Sequence, residues 1–127
     1  MHRAMMCVKE FHEKFDIPIN DVPHLPDTEE VKRRMKLLED QYHEYRYAER
    51  GKDLTKVTDA LADMVYVICG TAHYYGIPLD KVFAEVHRSN MTKEGKDENG
   101  KVLKGDHFSP PEIAEILLKR IYDVDDI

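Results

Sequence analysis

Apolar residues recur along this chain at spacings of three and four in five stretches, the first four closed off by Pro, Gly or Asn. That period belongs to helices, so the chain reads as all-α. The first helix covers about residues 4–15 and stops before Asp16-Ile17-Pro18. Pro18, Pro23 and Pro26 keep the next segment irregular, because proline fixes φ and lacks an amide donor. Asp27 or Thr28 caps a second helix, with Glu29 and Glu30 in the first turn where they suit the helix dipole. Gly51 stops it. Asp53 caps a third helix that runs to about Tyr75, before Gly76-Ile77-Pro78. A fourth opens at Leu79 or Asp80 and fades near Asn90. Residues 93–109 are polar and glycine-bearing, and Asn99-Gly100 predicts a tight turn of the kind that closes a short hairpin. Ser109 caps a last helix with Pro110 and Pro111 at its start, running from Glu112 to about Tyr122. The acidic end Asp123-Val124-Asp125-Asp126 is expected to fray. Short connections between such elements make a four- to five-helix bundle.

Length and charge narrow the picture further. A chain of 127 residues suits one domain spanning its whole length. An all-helical domain of this size often completes its core against a copy of itself, so a homodimer or homotetramer is expected. A formal charge of −6 argues against a nucleic-acid polymer as partner, since backbone binding needs surplus Lys and Arg. Cys7 and Cys69 lie far apart without a CxxC, which suggests neither zinc nor a disulfide framework. The start Met1-His2-Arg3-Ala4-Met5-Met6-Cys7 is too quickly charged for a signal peptide. No apolar run approaches ~20 residues, so no membrane span is expected and the cytoplasm is the expected location.

Helical geometry then sorts the acidic residues. In the second helix Val31, Met35, Leu38, Tyr42 and Tyr45 form one apolar stripe. Leu37, Gln41, Glu44 and Ala48 form another, roughly 100° round the helix, with Asp40 at its flank. Lys36, Glu39, His43, Arg46 and Arg50 fill the remaining arc and must face water. Asp40, Gln41 and Glu44 therefore point toward other helices, and Glu39 does not. In the third helix Asp63 is the only side chain charged at neutral pH between Ala60 and Leu79, in a run apolar around almost its whole circumference. Such a helix is the central one of a bundle, covered on most sides. A charge there needs a partner. Asp59 lies one turn earlier on the same face. An acidic pair at this spacing is usually solvated surface, but Asp63 lacks the polar arc that such a surface has. A salt bridge to Lys56 or Arg34 is one solution. Several carboxylates facing one another repel, however, and a hard divalent cation with oxygen ligands resolves that better.

These residues also resemble a known family. Leu37-Leu38-Glu39-Asp40-Gln41-Tyr42-His43-Glu44-Tyr45 and Asp59-Ala60-Leu61-Ala62-Asp63-Met64-Val65-Tyr66-Val67 are similar to the MazG-like all-α NTP pyrophosphohydrolase superfamily. Val86-His87-Arg88-Ser89-Asn90-Met91-Thr92-Lys93, Lys101-Val102-Leu103-Lys104-Gly105 and the opening Val8-Lys9-Glu10-Phe11-His12 resemble its phosphoribosyl-ATP pyrophosphohydrolase-like branch. The Arg-Ser-Asn-Met-Thr-Lys block is the most specific part. The family places Glu-Glu-x-x-Glu on one helix and Glu-x-x-Asp on the next, together binding Mg²⁺. Carried over, the first group falls on Asp40, Gln41 and Glu44. The second falls on Ala60 and Asp63, with Asp59 the nearest acid to the missing glutamate. Gln41 is a neutral oxygen donor and Ala60 offers none, so the resemblance implies fewer or weaker Mg²⁺ ions than in relatives.

The resemblance further implies hydrolysis of a nucleoside triphosphate, or related nucleotide, to monophosphate and pyrophosphate. Mg²⁺ is the implied cofactor and Mn²⁺ the alternative ion. Asp40, Glu44, Asp63, Asp59 and Gln41 are the implied metal ligands, with Glu44 and Asp40 as catalytic acids and Glu44 as the base. Asn90 and Lys93 would meet phosphate oxygens, and Lys101 and Lys104 sit on a loop able to fold over substrate. His12 is read as structural first and substrate-binding second. The competing reading is a non-catalytic helical bundle that binds a nucleotide or partner through a degenerate metal site. An EF-hand over 95–106 is excluded, because Gly95 would stand at its first ligand position.

Overall fold

Five helices form where the capping residues place them. The computed structural model describes residues 1–123, and the expected fraying of 124–126 lies outside them. The helices are α1 (His2–Lys14), α2 (Thr28–Arg50), α3 (Leu54–Tyr75), α4 (Leu79–Asn90) and α5 (Ile113–Asp123). Among the described residues there is no strand, so the all-α reading holds. None of these helices is long and apolar enough to cross a membrane. The chain divides into two compact units, Met1–Ile77 and Pro78–Ile127.

In the first unit, two acidic caps and one glycine set the ends. Asp27 Oδ1 accepts from the Glu30 amide at 2.9 Å, and Asp53 Oδ1 from the Lys56 amide at 3.1 Å. These bonds satisfy amides that lack partners within the first turn. Gly76 closes α3 in the left-handed conformation, at φ 71°, with its position so close to the Val22 carbonyl that a Cβ would collide there. The proline-studded connector does have a defined course, stitched to the last carbonyls of α3. Asn20 donates from its amide to His73 O at 2.9 Å and from Nδ2 to Tyr74 O at 2.6 Å, and the His24 amide reaches Tyr75 O at 3.0 Å. Helix ends leave their final carbonyls open, so the connector forms a cap in trans.

Helices α2 and α3 form an antiparallel hairpin around residues 51–53, and α1 packs on α3 through Met5, Val8 and His12. Two features depart from the sequence reading. The packed line of α2 runs through Arg34, Leu38, Gln41, Tyr45 and Ala48, while Met35 and Tyr42 of the expected apolar stripe stay open to solvent. The cause is Arg34, whose buried guanidinium occupies the interface. Its Nε donates to Thr71 Oγ1 at 3.1 Å, its Nη2 to Val67 O at 3.0 Å, and it lies 5.2 Å from the Tyr74 ring centre. Burial pulls the guanidinium below its ordinary pKa, against the pull of Tyr74 and Glu30. The second departure concerns α3, which is not covered on most sides. Within the first unit only α1 and α2 pack on it, and Leu61, Val65 and Ile68 remain exposed along one stripe.

Gly70 is where these helices meet most closely. A Cβ there would lie 2.5 Å from Arg34 Nη2 and 3.0 Å from His12 Nε2. His12 is buried, and its Nδ1–H donates to the Pro18 carbonyl at 3.0 Å. Burial pushes its imidazole below the ordinary 6.5, the Pro18 bond opposes this, and nearby His73 and Arg34 add to the lowering.

The second unit is held by one arginine. Arg88 donates through Nε and Nη2 to both Glu85 oxygens at 2.7 and 2.8 Å, through Nη1 to Ser109 Oγ at 3.0 Å, and through Nη2 to Pro110 O at 3.1 Å. Glu85 also accepts from the Glu112 amide at 2.7 Å. Arg88 first, then that amide, holds the Glu85 carboxyl at about 2. Ser109 is therefore an acceptor for Arg88 and not the cap of α5, which begins four residues later at Ile113. The expected hairpin is a single antiparallel bridge, Lys96 to Val102, turned at Gly100 with φ 82°.

Two outcomes follow from the Gly70 contact. Gly70→Ala gains about 1 kcal/mol in helix propensity but displaces a guanidinium pinned by two hydrogen bonds, a crowding cost of about 1–3 kcal/mol. Chemical denaturation is expected to show a net loss of stability, and an unchanged midpoint would mean that the pocket has slack. His12 binds protons less readily folded than unfolded, so stability rises with pH across its titration. Unfolding free energy is therefore expected to fall as pH drops below 6.5. In His12→Asn, which keeps a donor near Nδ1, this part of the pH slope should vanish from urea unfolding curves.

Candidate active site

Between the C-terminal half of α2 and the N-terminal half of α3 the hairpin opens into a groove of about 820 Å³. The walls diverge here because the facing side chains are charged or polar, while Ala48 and Ala60 are small and buried at its floor. Gln41 and Glu44 come from α2, and Asp59 and Asp63 from α3. Asp63 is half-buried and Asp59 exposed, so both reach the opening. Neither predicted salt bridge forms: among the described residues no ion pair joins Asp63 to Lys56, and Arg34 is committed to Thr71 and Val67.

The groove thus gathers Gln41, Glu44, Asp59 and Asp63 of the sequence-predicted set. Asp40 is not among its lining residues. It lies on the outer flank of α2, where Lys36 Nζ donates to its Oδ1 at 2.7 Å and the Asp40 bond raises the lysine's pKa. Glu39 and His43 are solvated as expected, 3.5 Å apart. His12 is in the core beside Gly70, away from solvent. Asn90, Lys93, Lys101 and Lys104 belong to the second unit, where Lys104 stands 5.0 Å from the Phe108 ring centre.

Sequence reasoning considered Lys56 only as a partner for Asp63. Lys56 stands in the wall of the groove together with Asp53 at the α3 cap. Spacing could have found it, because Lys56 precedes Asp59, Ala60 and Asp63 by three, four and seven residues, which share a helix face. The donors are hard oxygens, carboxylate and amide, of the kind that hold Mg²⁺ or Mn²⁺ and not softer metals. Among the described residues no three His, Cys, Asp or Glu side chains converge into a closed metal cage. Mg²⁺ needs no such cage, since it keeps several waters and takes one or two carboxylates together with substrate phosphates.

The first unit is thus all-helical, with an oxygen-lined groove between two antiparallel helices. A family model described as phosphoribosyl-ATP pyrophosphohydrolase matches residues 8–90, and the chain belongs to that family, within the MazG-like all-α NTP pyrophosphohydrolase superfamily. The match takes in α1 to α4 and stops at Asn90, before the 93–109 loop. No curated protein matches the chain.

Proposed function

We propose that this protein hydrolyses a nucleoside triphosphate or related nucleotide to monophosphate and pyrophosphate, with Mg²⁺ or Mn²⁺ bound in the α2–α3 groove. Membership of a pyrophosphohydrolase family supports the reaction class. The single observation that carries the site is the juxtaposition of Glu44 and Gln41 with Asp59 and Asp63 across one groove. Asp63, Glu44 and Asp59 would hold the cation, with the Gln41 carbonyl as a neutral donor. When bound, the cation supplies charge neutralisation at the phosphates and a lowered pKa for a coordinated water. Glu44 is exposed at the groove mouth and takes the proton of the attacking water. Lys56 pairs with phosphate oxygens and offsets the charge that the acidic walls would otherwise repel. Asp40, tied to Lys36, acts at most through the field of its charge. Asn90 and Lys93, with Lys101 and Lys104 of the glycine-bearing loop, are the phosphate contacts proposed from the second unit.

A homo-oligomer goes with this reading. Leu61, Val65 and Ile68 are 47, 43 and 39 % exposed along one face of α3, a stripe with the spacing of a helix–helix seam. A second copy of the same hairpin is the partner proposed for it, in a dimer or a dimer of dimers in the cytoplasm.

A panel of nucleoside triphosphates with Mg²⁺, assayed for pyrophosphate against orthophosphate, tests the reaction. Pyrophosphate release is expected, and its absence from every reaction rules the activity out. Asp63→Ala is expected to lower kcat/KM by about a hundredfold or more with helicity retained. Gln41→Glu is expected to tighten Mg²⁺ dependence, since a carboxylate replaces an amide. Val65→Asp puts a charge in the apolar stripe, and sedimentation is expected to shift toward the monomer; an unchanged species would place the dimer seam elsewhere.

A further inference from the structure

Along α3 the acidic stripe does not end at Asp63. Asp59, Asp63 and Tyr66 stand at i, i+4 and i+7, so Tyr66 lies within about 20° of Asp59 on the helix circumference and is the next neighbour of Asp63 on that face. At that height α1 crosses α3 and sets Phe11 edge-on to Tyr66, with ring centres 5.4 Å apart and planes at 86°. Phe15 extends the cluster, 4.8 Å from Phe11 and tilted by 51°. None of the three is sequestered: Phe11 is 39 %, Phe15 56 % and Tyr66 40 % exposed. Lys14 stands at the outer edge, 5.5 Å from the Phe15 ring centre. The molecule therefore presents a ledge of three exposed rings at the end of the carboxylate groove.

We propose that Phe11, Phe15 and Tyr66 form the subsite for the substrate's base, a purine or pyrimidine stacked on the ledge while its phosphates lie among Glu44, Lys56, Asp59 and Asp63. This rests on the nucleotide reading of the groove. A planar base has a π-face that exposed aromatic rings hold by stacking, and the sugar spans the single turn between Tyr66 and the acids. A second protein copy is the other conceivable occupant, but α3 offers it a different surface. Leu61, Val65 and Ile68 are wholly aliphatic and lie roughly 160° round the helix from Asp59, Asp63 and Tyr66. The ledge carries no fixed array of donors and acceptors apart from the Tyr66 hydroxyl. It therefore selects by stacking area, and purine nucleotides are favoured over pyrimidines with little discrimination among purines.

The test compares Phe11→Leu, Tyr66→Leu and Phe15→Leu with the native protein in Mg²⁺. Leucine keeps apolar bulk, and Phe15 is exposed enough that its replacement leaves folding intact. KM for a purine nucleoside triphosphate is expected to rise about tenfold per ring, with kcat changed less than threefold. The inhibition constant of inorganic tripolyphosphate, which has no base, is expected to move less than twofold. A parallel rise for tripolyphosphate, or a change of oligomeric state on sedimentation, overturns the proposal, because the rings would then shape the groove or a protein contact. If the native protein turns over no nucleotide, the reading of the groove fails by itself. The ledge is then decided by titrating a purine nucleoside monophosphate in EDTA under NMR observation. Shifts at the Phe11 and Tyr66 rings of the native protein that shrink in Phe15→Leu sustain it, and their absence overturns it.

Discussion

The contact between the Arg34 guanidinium and Gly70 sets the geometry on which the rest of the first unit depends. A buried arginine is tolerated only where its donors are met, and here Thr71 and the Val67 carbonyl meet two of them while the Tyr74 ring covers one face. Gly70 makes the approach physically possible, since any Cβ would stand in the guanidinium's place. Because α2 and α3 run antiparallel, this single contact also fixes their register. Seven residues from it along each helix, Gln41 comes level with Asp63. Three further on, Glu44 comes level with Ala60. The acids of the groove are thus placed by a guanidinium bonded elsewhere, to Thr71 and Val67.

Legibility in the sequence follows the same division between local and long-range physics. The caps Asp27 and Asp53 and the stop at Gly76 were readable because each acts within one turn of its own helix. Glu44, Asp59 and Asp63 were readable because a helical wheel gives the direction of each side chain. The wheel does not say which neighbour fills each direction. Asp40 pointed away from the solvated arc by angle alone, yet it is exposed and Lys36, one turn back, takes its carboxylate. The apolar circumference of α3 likewise implied cover on most sides, whereas α1 and α2 supply it on only two faces. Arg34 was the hardest case: the sequence offers it as an ion-pair partner for Asp63, and only the long-range contact at Gly70 shows its guanidinium committed to Thr71 and Val67.

Within the groove, the departures from the family pattern and the presence of Lys56 belong together. Replacing two carboxylates by Gln41 and Ala60 removes ligand charge, which weakens the hold on a cation. It also lowers the repulsion that a polyphosphate meets on entry, and Lys56 in the same wall adds attraction directly. On the proposed reading, a groove with four carboxylates and one ammonium would ask less of a bound cation than one walled by acids alone. Part of the neutralising charge is built into the chain, on a lysine that needs no cation to position it.

The Arg-Ser-Asn-Met-Thr-Lys block is the most distinctive string in the sequence, and most of it is occupied in folding. Arg88 ties Glu85 to Ser109 and the Pro110 carbonyl, spanning the whole 93–109 loop. Ser89 is buried, its carbonyl accepting from Thr92 Oγ1, which in turn accepts from the Ser109 amide. Those three residues close the loop onto the end of α4. With Glu85 held at about 2, its carboxylate stays charged throughout the neutral range, so the latch does not open with pH there. Asn90, Met91 and Lys93 of the block make no such side-chain bonds among the described residues. A distinctive motif can thus mark a structural frame, here the closure of a loop onto the end of a helix.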